Sequence, residues 1–500
     1  MLAISLFLAL TTTVTTLAPT DTVTQPPIVH SEVGDSSAGA PDFLMVNVGK
    51  RHFYPNGPRG AADRDLSSPK SANFSHDGRR LYVNSLEGCR TIVYDVPSLE
   101  KIDVIHYTFP SGEGPIWGEL SGFYEFTHYP DGLTRPFGGK PVESAWTHGG
   151  RYLWIPFYRR TYDRNAQDPS AVAVLDASAD TIVRMFETGP LPKMVAASPD
   201  GRLVAITHWG DNTVGLIDTS DPSPMRWHHL PPVTIGRKLH LDYPLDRSVN
   251  RDAKSGNLLR GTIFTPDSHY LLVGGMAGPL AVIDASSRKH VGNVPAAYGI
   301  RHLAMHDGYV YGSQNVAGRV VRFPLDSLLA GVERARANNN RTISIPGGLS
   351  SCKVGKGART LALSPDGQLA FVACNTDSKV YVMDALAMTV VDTIRADSYP
   401  VGLAVSPDGR YVAVTSQGRN RKGGNAVNLY KVIRPQAQAA QEAQEQIVEP
   451  EGPAEPLRKN TLLPRHIPWP LVCFLGACVA LGIALISSVK RRRHPRRPRR

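Results

Sequence analysis

The sequence predicts an all-β protein, a seven-bladed β-propeller closed by an N-terminal strand and followed by a single C-terminal transmembrane helix. Three observations predict this fold class: a four-residue turn pattern recurs seven times, each copy lies between short apolar segments, and an aspartate follows most copies at a nearly constant distance. Four-stranded repeats of about 40 residues are typical of propeller blades. The predicted propeller comprises residues 42–433.

The turn pattern reads Ser-Pro-Asp-Gly in its clearest copies, which are Ser198–Gly201, Ser364–Gly367 and Ser406–Gly409. Proline fixes φ, aspartate hydrogen-bonds its own backbone, and glycine accepts a positive φ, so the pattern predicts a hairpin turn between the first two strands of a blade. Weaker copies begin at Ser75, Thr147, Thr265 and His306.

A third strand is indicated by the aspartate that follows the turn. Asp200 and Asp218 are 18 residues apart, and the same interval separates Asp366 from Asp384. Each later aspartate ends an apolar, β-branched segment, and a further such segment, for example 389–394, comes next. The repeat therefore contains four antiparallel strands.

Closure of the ring is predicted from the two ends of the repeat region. The last copy has segments for three strands, the third at Val427–Tyr430, and lacks a fourth. The N-terminal segment Phe43–Val48 has strand character but no blade of its own. We expect it to supply the missing strand, because this pairing removes an exposed sheet edge.

Residues in excess of one repeat predict loops inserted into the ring. The longest are 106–140, 221–257 and 332–356, and each precedes the first strand of a copy. They should lie on the rim opposite the Pro-Asp-Gly turns, where variable loops on a rigid scaffold commonly build binding sites.

The two ends of the chain predict export and membrane anchoring. Leu2–Leu10 is an apolar run of signal-peptide length, so residues 1–38 are predicted to be a signal peptide and a disordered N-terminus, with an ordinary disordered tail as the alternative. Leu471–Val489 is 19 residues without a charge and is long enough to span a bilayer. The predicted transmembrane helix is 467–489, after a low-complexity spacer at 434–466.

The basic tail 490–500 sets the predicted orientation. Eight of its 11 residues are Lys or Arg, which account for most of the formal charge of +11. Positive residues stay on the cytoplasmic side, so the propeller should face the periplasm or the exterior of a cell membrane crossed once. An apolar run followed by arginines also resembles a cleaved sorting signal. Because the body is nearly neutral, nucleic acid is not an expected partner.

Pro400–Gly409 and Lys379–Asp384 resemble the YVTN-type repeat of bacterial and archaeal β-propellers. This repeat recurs in seven-bladed propellers similar to the lactonase-type and haem d1-type propellers. The resemblance implies the fold, whereas the roles of these propellers are too varied for it to imply an activity.

A ring of cations is predicted where the innermost strands begin, at the position six residues before each turn marker. A ring of cations in a narrow channel mouth favours an anionic ligand. Flanking side chains from the loops are expected beside it. Two of the seven positions are Val142 and Val401, and the remaining five are Lys70, Lys193, Arg260, Arg301 and Arg359. The expected flanking side chains are Tyr158, Arg159, His208, Trp209 and His302.

An alternative for the ring is structural pairing with loop acids such as Asp211 and Asp377. Motifs for metal, haem or nucleophilic catalysis are absent from the sequence, so no cofactor is expected. The predicted function is a binding module for an anionic small molecule or an envelope protein or polymer. The alternative is an envelope enzyme, either a lactonase-like hydrolase or a cofactor-dependent oxidoreductase.

Cys352 and Cys374 flank the first two strands of the sixth copy. In an exported protein they could form a disulfide, and two reduced, buried thiols are the alternative.

Overall fold

The computed structural model describes residues 26–40, 43–109, 115–124, 126, 136–240, 246, 248–419 and 422–434. It confirms the seven-bladed β-propeller. In every blade except blade 2 the first strand is innermost, and these strands contact one another where their blades are neighbours; the first strand of blade 3 contacts the third and fourth strands of blade 2.

Blades 1 to 3 follow the chain in order. Blade 1 contains β2 (Pro69–Phe74), β3 (Arg80–Ser85), β4 (Arg90–Asp95) and β5 (Lys101–His106). Blade 2 contains β6 (Thr108–Phe109), β7 (Phe137–Pro141), β8 (Ala145–Thr147), β9 (Tyr152–Arg160), β10 (Pro169–Asp176) and β11 (Thr181–Pro190). Blade 3 contains β12 (Pro192–Ala197), β13 (Leu203–His208), β14 (Thr213–Asp218) and β15 (His228–Thr234).

Blades 4 to 7 complete the ring. Blade 4 contains β16 (Leu259–Phe264), β17 (Tyr270–Gly275), β18 (Pro279–Asp284) and β19 (Lys289–Tyr298). Blade 5 contains β20 (Ile300–His306), β21 (Tyr309–Gln314), β22 (Arg319–Pro324) and β23 (Ser350–Lys353). Blade 6 contains β24 (Ala358–Leu363), β25 (Leu369–Cys374), β26 (Lys379–Asp384) and β27 (Thr389–Arg395). Blade 7 contains β28 (Pro400–Val405), β29 (Tyr411–Ser416), β30 (Ala426–Ile433) and β1 (Leu44–His52).

The predicted turns form as expected. In Ser198–Gly201 the Gly201 amide donates to the Ser198 carbonyl at 2.9 Å, and the Ser198 hydroxyl donates to Asp200 at 2.5 Å. Gly201 has a φ of 72°, and Gly367 and Gly409 have φ angles of 67° and 72°. Glycine is therefore needed at the end of this turn, because it adopts a positive φ without steric cost.

The N-terminal strand closes the ring as predicted. β1 pairs antiparallel with β30, from Leu44 opposite Ile433 to His52 opposite Ala426, and becomes the outermost strand of blade 7. The residues before β1 also bind the propeller. The Val29 amide donates to the Ser398 hydroxyl at 2.7 Å, and Ser37 accepts from the Met45 amide at 2.9 Å. We call residues 28–37 the N-terminal strap.

Blade 2 departs from the regular pattern at its innermost position. Two short strands, β7 and β8, take the place of one, and both pair with the long strand β9. The interruption covers Val142, Glu143 and Ser144. Strand breaks and bulges of this kind re-aim side chains, and here the break lies beside the channel.

The insertion 332–356 is not a loop throughout. Helix α1 (Leu325–Ala337) enters it from the end of β22 and buries Leu328, Val332 and Ala335 against blades 4 and 5. These three side chains recur every three or four residues, which places them on one face of the helix.

The predicted spacer, transmembrane helix and basic tail lie outside the described residues, as do residues 1–25 of the predicted signal peptide. Within the part of the chain that the structure describes, none of the helices has the length and apolarity needed to cross a bilayer.

Cys352 lies in the last strand of blade 5 and Cys374 in the second strand of blade 6, and both are buried free thiols in one apolar cluster. Burial raises the pKa of the Cys352 thiol, and it raises that of Cys374 to about 12. The disulfide between them stays a prediction, which intact-mass measurement before and after reduction will test.

We expect Gly402→Ala to lower the free energy of unfolding by about 1–3 kcal/mol, because it overpacks the contact between the innermost strands of blades 7 and 1. A Cβ atom on Gly402 would lie 2.5 Å from the Lys70 carbonyl oxygen and 2.8 Å from the Ser71 Cα. Gly60→Ala is the control, since no heavy atom lies within 4 Å of the added Cβ there. Denaturant unfolding of the two variants measures the difference, and equal stabilities would contradict this close contact.

Candidate anion site at the channel mouth

The innermost strands share a local irregularity at the predicted cation position. Pro192 pairs with His208 and Met194 with Thr207, so Lys193 is an extra residue in β12. The same shift occurs at Arg301 in β20 and at Arg359 in β24. A β-bulge turns the extra side chain out of the regular alternation, and bulges are over-represented next to functional sites.

Hydroxyl groups of the preceding blade bind the backbone at three of the five cationic positions. Thr207 donates to the Arg260 carbonyl at 3.2 Å, and Ser313 donates to the Arg359 carbonyl at 2.7 Å. Thr415 donates to the Lys70 carbonyl at 3.2 Å. In these three cases the second strand of one blade therefore positions the backbone of a cationic residue in the next blade.

All five predicted ring cations line one cavity of about 420 Å³, together with Tyr158, Arg159 and Trp209. Of the described residues around it, six are cationic and two, Glu87 and Asp252, are acidic. Glu87 is already bonded to Lys140, at 2.5 Å. The cavity therefore carries an excess of positive charge. It lies where the first strands of blades 1 to 6 begin.

One side of the cavity is an ion-paired cluster around Glu143. One oxygen of this carboxylate accepts from Lys70 at 3.1 Å and from Arg260 at 2.9 Å. Burial by itself would raise the pKa of Glu143, but Lys70, Arg260 and His302 lower it to about 2. Glu143 is therefore a permanent counterion for these two cations.

A second cluster surrounds Lys193. Its Nζ lies 3.0 Å from Asp252 Oδ1, 3.8 Å from the centre of the Tyr158 ring and 4.8 Å from that of Trp209. The Tyr158 hydroxyl donates to the other oxygen of Asp252, and the Trp209 indole donates to the Asp252 carbonyl at 3.1 Å. Burial lowers the pKa of Lys193 to about 7, with Arg260 and Arg301 adding to the effect and Asp252 opposing it.

The third side is formed by Arg301 and Arg359. Both residues are buried, each 8% exposed, and neither Nε has a hydrogen-bond partner in the described part of the chain. Arg301 contacts Met276 Sδ at 2.7 Å, and Arg359 lies 5.9 Å from the centre of the Tyr399 ring. Among the described residues, no carboxylate lies within ion-pair distance of either guanidinium.

The environment of these two arginines disfavours their charge. Burial lowers the pKa of Arg301 well below its usual value, and the neighbouring Arg359 and Arg260 lower it further. Burial, followed by Arg260, lowers the pKa of Arg359 to about 10. A buried cation without a counterion is costly, and such groups are candidates for binding anions.

Two of the expected flanking residues do not line the cavity. His208 lies inside blade 3, where its ring accepts from the Gly189 amide at 3.2 Å and contacts the Thr213 hydroxyl at 2.8 Å. Burial lowers the pKa of His208 to about 3. His302 is not among the residues that line the cavity, and burial lowers its pKa to about 4 although the nearby Glu143 acts to raise it.

Structural pairing occurs, but with acids other than those expected. Asp211 bonds the amide and hydroxyl of Thr213, and Asp377 bonds the Lys356 amide and the Tyr381 hydroxyl. The acids that pair with ring cations are Glu143 and Asp252. Glu143 directly follows the counted position Val142, at the strand break of blade 2. This adjacency in sequence is the signal that could have found it. Asp252 lies in the insertion 221–257, which carries no such signal.

Comparison with known proteins adds a short local similarity. No family model matches the chain, so the YVTN-type repeat stays a resemblance. Over an alignment 70 residues long, the chain is 37% identical to Antigen Lp49 of Leptospira interrogans serogroup Icterohaemorrhagiae serovar copenhageni. The match spans 11% of this chain and 15% of that protein.

Two solved structures align with about three quarters of this chain. The β-propeller domain of Cps50 (Swd1) from Myceliophteria thermophila is 14% identical, with a TM-score of 0.49, and the alignment covers 73% of this chain and 96% of that one. Kuenenia stuttgartiensis hydrazine synthase is 15% identical, with a TM-score of 0.49, and the alignment covers 76% of this chain and 99% of that one.

Proposed function

We propose that this propeller is a binding module whose channel mouth takes a small anionic molecule. The observation that carries the proposal is the pair Arg301 and Arg359, two buried guanidinium groups that line the cavity without a carboxylate partner among the described residues. An anion between them would supply the missing counter-charge, and a guanidinium can donate two parallel hydrogen bonds to a carboxylate, sulfate or phosphate.

The size of the cavity favours a small molecule over a polymer. Its volume of about 420 Å³ lies in the range of cavities that enclose small ligands. Tyr158 and Trp209 add two aromatic walls. Glu143 and Asp252 neutralise part of the charge of the remaining cations. This leaves Arg301 and Arg359 to bind the anion, and we call this pair the anion seat.

Titration of the purified full-length chain with sodium sulfate tests the proposal. We expect saturable binding with a Kd below about 1 mM, measured by calorimetry. Trp209 is a second reporter, because its ring forms part of the cavity wall. Sodium chloride at equal ionic strength is the control. Sodium phosphate and sodium oxalate are tested in the same way. If none of the three anions gave a response different from that of chloride, the anion site would be contradicted.

We expect sulfate affinity to fall about fivefold between about pH 6 and pH 9, because Lys193 loses its charge across this window while sulfate keeps both of its charges. The charged groups that face Lys193 are Asp252, Arg260 and Arg301, and Tyr158 adds a hydroxyl. Calorimetry at several pH values measures the trend. Lys193→Arg should remove it, since arginine stays charged; a flat wild-type profile would contradict the role of Lys193.

We also propose that the propeller is held on the outer side of a membrane by the segment 467–489. Support comes from the uncharged run Leu471–Val489 and the basic residues that directly follow it. The full-length chain should sediment with membranes and resist extraction at high pH. A variant that ends at residue 434 should be released; equal sedimentation of the two chains would contradict the anchor.

A further inference from the structure

Lys193 differs from the other cations of the cavity in the groups that surround its amine. Asp252 contacts the Nζ atom, the rings of Tyr158 and Trp209 wall it in, and the same carboxylate also holds the Tyr158 hydroxyl. The amine thus has a proton acceptor and a hydroxyl beside it, and it lines the cavity that contains the proposed anion seat.

We infer that Lys193 captures the carbonyl group of a small anionic carbonyl compound, such as a 2-oxo acid or an aldehyde acid, as an imine. The inference rests on the proposed anion site, because Arg301 and Arg359 line the same cavity and would hold the carboxylate of that compound. It goes beyond reversible binding, because a covalent bond forms between the ligand and the chain.

The uncharged amine that this chemistry requires is available near neutral pH. Burial and the neighbouring Arg260 and Arg301 lower the pKa of Lys193 to about 7 although Asp252 acts in the opposite direction. A lysine that is desolvated and placed beside other cations is a recognised way to activate an amine nucleophile. An ordinary exposed lysine is almost entirely protonated at this pH.

The bond changes balance without an oxidant or a reductant. The amine lone pair attacks the carbonyl carbon, and the electron pair of the C=O π bond moves to oxygen. Two protons leave the nitrogen, and both reach that oxygen, which departs as water when the C=N bond forms. The Asp252 carboxylate touches both the Lys193 amine and the Tyr158 hydroxyl, so this pair can pass protons between nitrogen and oxygen.

Lys70 is the competing amine in the same cavity. Burial, with Arg359 adding to the effect and Glu143 opposing it, places its pKa well below the usual range of lysine. Its Nζ donates to Glu143, which also accepts from Arg260, and no hydroxyl group of a described residue is hydrogen-bonded to that carboxylate. The inference therefore assigns the reaction to Lys193 and not to Lys70.

Reductive trapping tests this assignment on the full-length chain. Glyoxylate carries an aldehyde and a carboxylate, and acetaldehyde is the matched probe without the carboxylate. With cyanoborohydride at about pH 7, we expect glyoxylate to modify Lys193 at least about tenfold faster than the exposed Lys289. Peptide mapping by mass spectrometry locates the label. Lys193→Arg should lose it, and a label at Lys70 instead would overturn the assignment.

Two further measurements separate this inference from the proposed function. Sulfate should slow the labelling of Lys193 by glyoxylate far more than by acetaldehyde, because it occupies the carboxylate site of glyoxylate but affects acetaldehyde only by favouring the charged amine; this arm needs no variant. Saturable sulfate binding with Lys193 labelled no faster than Lys289 would overturn covalent capture and leave the anion site standing. Absence of both sulfate binding and labelling would overturn the two proposals together.

Discussion

Replacing both Arg301 and Arg359 by methionine should abolish sulfate binding, with affinity lowered at least about a hundredfold, while the ring stays folded. The two guanidinium groups are buried, and no carboxylate among the described residues pairs with them. Their removal therefore takes away the anion's partners without leaving a buried acid uncompensated. Because buried, unpaired cations are costly, we expect the melting temperature to stay the same or to rise.

The matched control removes the same charge from the surface. Arg226 and Arg319 are exposed arginines outside the cavity. The control is the double variant Arg226→Met with Arg319→Met, which has the same net charge as the variant without Arg301 and Arg359. This control should bind sulfate within about twofold of the original chain, since exposed charges are screened by salt. Comparable losses in the two double variants would indicate a long-range effect of net charge and would contradict a local anion seat.

The choice of this pair depends on the structure. The sequence treats the five ring cations as equivalent, so any two of them could be selected for neutralisation. Arg260 is a poor choice because it shares Glu143 with Lys70, and its loss would leave that buried carboxylate with one partner fewer. Breaking a buried ion pair from one side destabilises a fold, and the loss of binding would then be hard to interpret.

Asp397→Ala should lower the free energy of unfolding by about 3–5 kcal/mol, because the buried Lys50 would lose its buried counterion and keep, among the described residues, only the exposed Glu32, at 3.5 Å. The Asp397 side chain is fully buried and accepts from Lys50 at 3.2 Å and from Asn428 at 2.6 Å. Lys50 in turn bonds the Ser31 carbonyl, at 2.5 Å. One carboxylate thus joins blade 7, the closing strand β1 and the N-terminal strap.

Chemical denaturation of the full-length chain measures this effect. Asp307→Asn is the control. The Asp307 side chain is 81% exposed and pairs with His306. Asparagine tolerates the positive φ of 44° at this position. The control should change stability by less than about 1 kcal/mol. If Asp397→Ala changed the free energy of unfolding as little as the control does, the role of Asp397 in joining the strap to the ring would be refuted. Limited proteolysis should also cut the strap earlier in the Asp397 variant.

The repeat made the fold predictable from sequence. Seven turn patterns, each with its strands, determine the number of blades, and a three-strand last copy leaves one place for Phe43–Val48. The positions of the five cations were also predictable, because a fixed offset from the turn becomes a fixed height in the ring. The period of the repeat does not show where the strand pattern is interrupted. In blade 2 the innermost strand is divided in two at Val142–Ser144.

Features that come from outside the repeat were not predictable in this way. Asp252 reaches Lys193 from an insertion, and no local pattern indicates the distance between them. Helix α1 follows a helical spacing of apolar residues that the propeller repeat does not contain. Trp209 and Arg301 line the cavity, whereas the adjacent His208 and His302 do not. Trp209 follows the last residue of β13 and Arg301 is the extra residue of a bulge, and the repeat pattern indicates neither irregularity.

The pairing of Leu44 with Ile433 has a consequence for synthesis of the chain. A ribosome delivers β1 first and β30 last, so the earliest strand has no partner until translation of the propeller is nearly finished. During that interval the amide and carbonyl groups of β1 are unpaired. Other nascent chains could therefore pair with this strand in place of β30. Blades can form one after another, yet the circle is completed in a single late event that joins the oldest segment to the newest.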